Sequence, residues 1–411
     1  MPSSLSPESL DAALEKSLIG APMPSGRRCL GIEVERLILH RQTRVCAPLE
    51  FCRQLIADLA ADIDGRIYMD GEVINRVDGD GYSLTMEPGG QLELATEPRT
   101  SLAEIDPTMA EVRRLVESRL AGTEFHTVAL GHAPVSHPDE LGLLPRSRYK
   151  IMDRAMTPRG NLTRNMMRAT AGFQLTYDVT DRADAGRKMA LLYRLAPIMV
   201  ALCANSRIIG GKDSGYASFR HHVWQHTDRT RVGVPPGCLG ADTAVDGYKR
   251  FAREAILLFL RRDGELVPSP EVSLEQGVAQ GVVTQDDLEL HLSSLFPYVR
   301  MRNYLEVRYL DSVEWPLARS VLAMLSGLIY CSIATAKAET LTASTALADP
   351  AALDAVHQAA ARDGLDAVLP DGRGFRDVAR ELLSYSTATL GGASCRWADR
   401  ADLAAVERRI A

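Results

Sequence analysis

The sequence predicts an α+β fold in which an antiparallel sheet carries its helices on one side and a helical segment follows at the C-terminal end. Three observations predict it. Several segments alternate apolar and polar residues at period two, the mark of half-buried strands; "SLTMEPGGQLELATEP", Ser83 to Pro98, does so on both sides of a Pro88-Gly89-Gly90 turn and reads as a hairpin. Hairpins and long helices follow one another with no regular βαβ rhythm. The last 70 or so residues are Ala-rich, with apolar residues three and four apart.

The elements follow in order. In "MPSSLSPESLDAALEKSL", Ser6-Pro7-Glu8 opens an amphipathic helix, and the acidic residues exclude a secretory leader. "CLGIEVERLILH", Cys29 to His40, alternates as a strand. "TSLAEIDPTMAEVRRLVESRL" starts on a capping box, Ser101 with Glu104, and continues as a helix that Pro107 interrupts early. "TVALGHAP" is a short strand, and "AGFQLTYDV", Ala171 to Val179, is another, followed by a helix through "RKMALLYRLAPIMVALCANS". "RVGVPPGCLGADTAVDG" is a long loop, either a linker or a mobile active-site flap. "RNYLEVRYLDS", Arg302 to Ser312, is a strand, and "PLARSVLAMLSGLIYCSIATAKAETL" reads as one long helix. Residues 1–330 are expected to form the functional unit, and 331–411 a helical extension packed on it.

Composition narrows the function. The 411 residues, 46% hydrophobic and 24% charged, suffice for a large core and exclude disorder. A net charge of −6 and a pI near 5.9 leave no footprint for nucleic acid or anionic lipid, so the expected partners are small molecules. The longest apolar run, "LAPIMVALCA", falls far short of the roughly 18 residues a membrane span needs. Seven cysteines (Cys29, Cys46, Cys52, Cys203, Cys238, Cys331, Cys395) are scattered without a C-x-x-C, which argues against a disulfide framework or zinc ribbon and predicts a reducing, cytoplasmic setting.

Parity along the strands assigns each side chain to a face. Ile32 and Val34 oppose Glu33 and Glu35; Leu84 and Met86 oppose Thr85 and Glu87; Leu92 and Leu94 oppose Gln91 and Glu93. Phe173, Leu175 and Tyr177 oppose Gln174, Thr176 and Asp178, and Leu305, Val307 and Tyr309 oppose Glu306 and Arg308. One face is apolar; the other carries carboxylates and amides with almost no lysine. Carboxylates this close raise one another's pKa unless a cation neutralises them, and hard oxygen ligands select Mg²⁺ or Mn²⁺. The pattern fits two readings, a solvated polar face and a multi-metal phosphate site built from Glu33, Glu35, Glu87, Glu93, Gln174 and Glu306. Arg148 in "PRSRYKIM", Arg220 in "SFRHHVW" and Arg308 are candidate forked donors for a carboxylate or phosphoryl group. His221, His222 and His226 lack the glutamate of H-E-x-x-H and read as local histidines. "LGHAP" and "IIGGKDSG" match neither nucleotide-binding loop, and no G-x-S-x-G elbow occurs.

The segments "GIEVE", "LTMEPGGQLEL", "SRYKIM", "ANS", "FRHHVW", "HLSSLFPYVR" and "YLEVRYLDS", collinear from about Gly31 to Trp315, resemble the glutamate–cysteine ligases of the plant and proteobacterial type, including the actinobacterial enzymes of ergothioneine biosynthesis. The resemblance implies a glutamine-synthetase-like antiparallel sheet forming a funnel with metals on its inner face and helices outside. It implies ATP and Mg²⁺, with the γ-carboxylate of L-glutamate activated as γ-glutamyl phosphate and captured by the amine of L-cysteine; another amine acceptor, or a carboxylate or guanidino phosphotransferase, are the alternatives. It further implies metal ligands at the six positions above, catalytic roles for Arg308, Glu87 and Glu306, and a glutamate pocket of Arg220, Arg148 and Tyr149 with Trp224 beside it. Departures from the family's usual wording, Ala95, Thr96, Thr176, Lys150 and Arg207, are expected near the substrates.

Overall fold

The computed structural model describes residues 4–20, 28–390 and 397–411, so Cys395 lies outside the described residues. Nine strands form the main sheet: β1 (Leu30–His40), β2 (Arg66–Asp70), β3 (Val73–Gly79), β4 (Tyr82–Met86), β5 (Leu92–Thr96), β6 (Phe125–Val128), β7 (Gly172–Asp178), β8 (Val299–Met301) and β9 (Tyr304–Asp311). Their order is β8-β9-β7-β1-β5-β4-β3-β2, with β6 on the far half of β1, and every pairing is antiparallel. β2 and β3 have no counterpart in the sequence reading, because "RIYMD" and "VINRVDG" show no clean alternation.

The apolar sides of these strands face helices, as parity requires. Phe173, Leu175 and Tyr177 are wholly buried in one core with the helix Arg182–Cys203. That helix is apolar on nearly its whole circumference and buried throughout its last four turns, the pattern of a central core helix. The helices Ser332–Ala343, Leu353–Asp363, Phe375–Thr387 and Ala404–Ile410 place Ala338, Val356, Phe375 and Val406 in the same core. No single described helix is long and apolar enough to cross a membrane.

Four local expectations need correction. The segment read as one long helix breaks at Cys331 into Trp315–Tyr330 and Ser332–Ala343, bent by 92°. The helix Leu102–Leu120 runs unbroken through Pro107. Ser101 makes no side-chain cap there; Glu104 turns instead to the Thr100 N–H and hydroxyl, at 3.1 and 2.7 Å. The Gly/Pro-rich loop from Arg231 is anchored, not a flap: Val232–Gly233 pairs with Phe296–Pro297, and the fully buried Arg231 donates to Asp228 at 2.9 Å and the Ser294 carbonyl at 3.0 Å. Its last part is already helix, Ala244–Glu254.

Candidate active site

The polar sheet face lines a cavity of about 400 Å³, walled opposite by the helices Ser147–Met156 and Phe219–Gln225. Strand register gathers the acids: Glu35 pairs with Glu93, Thr85 with Glu93, and Glu33 with Gln174. Glu87 is delivered by the turn after β4, where the Glu87 N–H donates to the Gln91 carbonyl and the Gly90 N–H to the Glu87 carbonyl, both at 2.8 Å. Gly90 takes a φ of 87°, and a Cβ on Gly89 would lie 2.1 Å from the Arg168 carbonyl oxygen, so both glycines are required. Gln91 braces the turn, accepting from Gly89 N–H at 2.9 Å and donating to the Thr170 carbonyl at 2.7 Å.

The negative charge on this face is not alone. Four carboxylates, Glu33, Glu35, Glu87 and Glu93, share the cavity with seven guanidinium groups, Arg76, Arg146, Arg148, Arg220, Arg300, Arg302 and Arg308. Sequence parity finds the acids because strands carry them; most of the arginines come from helices, loops and edge strands where no periodicity marks them. Arg300 is carried across from Glu306 by the tight turn at Asn303, whose φ is +55°.

The acids fall into two electrostatic groups. Glu306, wholly buried, receives Arg300 Nε and Nη2 at 2.8 and 2.9 Å and also Arg308. Burial alone would raise its pKa, but the two arginines outweigh it and hold it below the usual carboxylate range. Glu35 accepts from the Gly172 N–H and from the Gln174 amide at 3.1 Å. Glu33, Glu87 and Glu93 are different. Burial, then repulsion from Glu306, pushes Glu33 up to about 7; burial, then Glu35, pushes Glu87 up to about 7; and burial with Glu87, Glu33 and Glu35 drives Glu93 well above its ordinary value. Glu93 has only the Thr85 hydroxyl, at 2.9 Å. Among the described residues no three His, Cys, Asp or Glu side chains converge into a ready-made metal cluster.

The opposite wall supplies cations. Arg148 donates to Ser293 Oγ and carbonyl at 3.0 and 2.9 Å, and burial lowers its pKa to about 10. Tyr149 sits with Arg146, whose Nη1 reaches its hydroxyl at 2.8 Å. Arg308 reaches Gln174 as well as Glu306. Arg220 is buried, lies over Trp224, and bonds the Arg308 carbonyl through Nη2 at 3.2 Å; its Nε and Nη1 have no hydrogen-bond partner among the described residues. A buried guanidinium with two idle donors is costly unless a ligand completes it.

The structure thus brings Glu33, Glu35, Glu87, Glu93, Gln174, Arg148, Tyr149, Arg220, Trp224 and Arg308 to one cavity, with Glu306 bonded beneath Arg308. Ala95, Thr96, Thr176, Lys150 and Arg207, expected near substrates, are not among its lining residues; Arg207 is exposed and pairs with Asp213 at 2.8 Å. His226 bonds the His222 carbonyl at 2.8 Å within its own turn, whereas His221 lies 3.0 Å from His357 on the helix Leu353–Asp363.

A family model described as glutamate-cysteine ligase family 2 matches residues 29–409. The chain is 30% identical over 288 residues to the chloroplastic glutamate–cysteine ligase of Brassica juncea, covering 67% of this chain and 55% of that protein. To the corresponding Medicago truncatula protein it is 29% identical over 305 residues, covering 72% and 59%. The chain therefore spans somewhat more than half the length of these relatives. In structure it is similar to a glutamate–cysteine ligase from Francisella tularensis, solved in complex with AMP, with a TM-score of 0.53 at 13% identity over 93% of this chain and 81% of that one, a likeness of fold.

Proposed function

Since the chain belongs to glutamate-cysteine ligase family 2, we propose that it is an ATP-dependent ligase that joins the γ-carboxylate of L-glutamate to the amine of L-cysteine. The observation that carries this reading is a cavity where sheet carboxylates whose pKa stays raised, Glu33, Glu87 and Glu93, meet guanidinium groups from the sheet itself, Arg76, Arg300 and Arg308, and from the helices opposite, Arg148 and Arg220. Such a cavity suits a polyanion that arrives with divalent cations and a small substrate bearing its own carboxylate.

The residues fit a divalent cation by their chemistry. Burial and mutual repulsion outweigh the nearby arginines at Glu33 and Glu87 and raise Glu93 as well, so all three resist ionising, which a cation reverses. Without a ready-made cluster, each ion would take one or two of these carboxylates and complete its shell with phosphate oxygens, the usual habit of Mg²⁺. A bound cation would supply neutralisation of the triphosphate.

The chain's own groups do the rest. Arg220 offers its idle Nε and Nη1 to the α-carboxylate of glutamate, with Trp224 stacked beneath. Arg148 and Tyr149 border the same pocket. Arg308, held by Glu306 and Gln174, is oriented toward charge developing on the transferring phosphoryl group. The γ-carboxylate oxygen attacks the terminal phosphorus as ADP leaves; the amine nitrogen then attacks the acyl carbon as phosphate leaves. The departures from the family wording do not line the cavity, so none favours a different amine.

The test is Mg²⁺-dependent ADP release with ATP and L-glutamate, adding amines singly and recording product mass. A cysteine-dependent signal with the mass of γ-glutamylcysteine is expected. Glutamate-dependent release driven by another amine reassigns the acceptor; glutamate-independent release refutes the reading.

A further inference from the structure

We propose that Asp311 is a positioning residue for Arg220, acting through Ser206 and Ser218, and so sets the affinity for the α-carboxylate substrate without touching it. The inference rests on Arg220 as the group that binds the glutamate α-carboxylate.

Asp311 lies at the end of β9 and is buried. Its Oδ2 accepts from the Asn205 N–H at 2.8 Å and the Ser206 hydroxyl at 2.7 Å; its Oδ1 accepts from the Ser218 hydroxyl at 2.7 Å. Both hydroxyls, having donated to Asp311, are left as acceptors, and both accept from the first turn of the helix that carries Arg220. Ser206 Oγ takes the Arg220 N–H at 3.0 Å, and Ser218 Oγ takes the His221 N–H at 3.1 Å. A carboxylate is acceptor-only, so Asp311 fixes the direction of both hydroxyl protons and with them both backbone bonds. Its charge also acts on the guanidinium, since Glu35 and Asp311 are the two acids that oppose the effect of burial on Arg220.

The neighbourhood leaves Arg220 little freedom. Gly131 presses on Asp311, where a Cβ would stand 2.5 Å from its carboxyl carbon, and Gly172 admits the guanidinium, where a Cβ would stand 2.5 Å from Nη2. Asp311 reaches this position because the β9–β7 register shifts between Val307 and Leu310. The extra residue turns Asp311 to the face of its partner Gly172, on the side of Arg220.

The experiment starts from the wild-type chain, titrating L-glutamate at saturating ATP and Mg²⁺ with ADP release as the signal. Absence of glutamate dependence in the wild type overturns the reading of Arg220, and this inference with it. Given that dependence, Asp311→Asn is expected to raise the glutamate KM about tenfold or more while kcat and the ATP KM stay within about threefold. In an Arg220→Lys background the same change should add less than about twofold, because the group it positions is gone. An unchanged glutamate KM in Asp311→Asn, or a full tenfold effect on top of Arg220→Lys, overturns the proposal. If Asp311→Asn does not give a cooperatively folded protein, Ser206→Ala, which keeps the carboxylate and cuts its link to the Arg220 N–H, decides by the same criteria.

Discussion

Arg300 and Glu306 stand opposite each other across the β8–β9 hairpin, and the half-buried guanidinium grips both oxygens of the wholly buried carboxylate in a fork, at 2.8 and 2.9 Å. The pair ties Glu306 to arginines, and Glu306 also bonds Arg308. Arg300→Ala removes the fork and leaves Glu306 with Arg308 alone, and should cost on the order of 1–3 kcal/mol of stability, measured by urea unfolding. Combining it with Glu306→Gln should recover much of that loss while Arg308, without its anchor, supports less turnover.

Glu93 makes the opposite case, a half-buried carboxyl that makes no ion pair among the described residues. Glu93→Gln is expected to lower ADP release at least a hundredfold, on the order of the loss when one electrostatic contributor is removed. In the absence of metal the same variant should be more stable than wild type at pH 8 by on the order of 1 kcal/mol, since it deletes a charge the fold disfavours. A variant both inactive and less stable would refute this account of Glu93.

The same acids set a pH dependence. Glu33 and Glu87 have folded-state pKa values raised to about 7 from 4.5, so between these limits the native state holds more protons than the unfolded one. Stability of the metal-free protein must therefore fall as pH rises through about 5 to 7 and level off above. Thermal unfolding in EDTA across that range should show the decline, and Mg²⁺ with ATP should flatten it.

Gly172 offers a test of the carboxylate pocket that alters no charge. A methyl there would meet Arg220 Nη2 at 2.5 Å and push the guanidinium aside. Gly172→Ala should raise the glutamate KM about tenfold, equivalent to about 1.4 kcal/mol, with the ATP KM little changed. An unaltered KM would mean that Arg220 does not meet this substrate.

Much of this was legible in the sequence. Period-two alternation located β1, β4, β5, β7 and β9 and sorted Glu33, Glu87, Glu93 and Gln174 onto one face, because the pleat converts parity directly into direction. Two kinds of feature escaped. Asp311 follows a bulge, and one inserted residue reverses parity for everything after it, so alternation counted from Leu305 puts it on the wrong side. Arg146, Arg300 and Arg302 come from a helix cap and hairpin ends, where only three-dimensional closure reveals that they meet the acids. The break at Cys331 was hidden for another reason: both halves share the apolar spacing of a core helix, and no glycine or proline marks the corner.

The two walls of the cavity also differ in when they exist. Glu33, Glu35, Glu87 and Glu93 are all synthesised before residue 94, whereas Arg220, Arg300 and Arg308 follow much later, and β1 gains its neighbour β7 only after 130 more residues of chain. A nascent chain on the ribosome therefore displays the acids, with Arg76 alone beside them, well before the other arginines that line the cavity. Contacts of such long sequence separation form slowly, so a divalent cation present during synthesis is expected to act on this protein first as a folding partner, shielding the hairpin until the later arginines arrive.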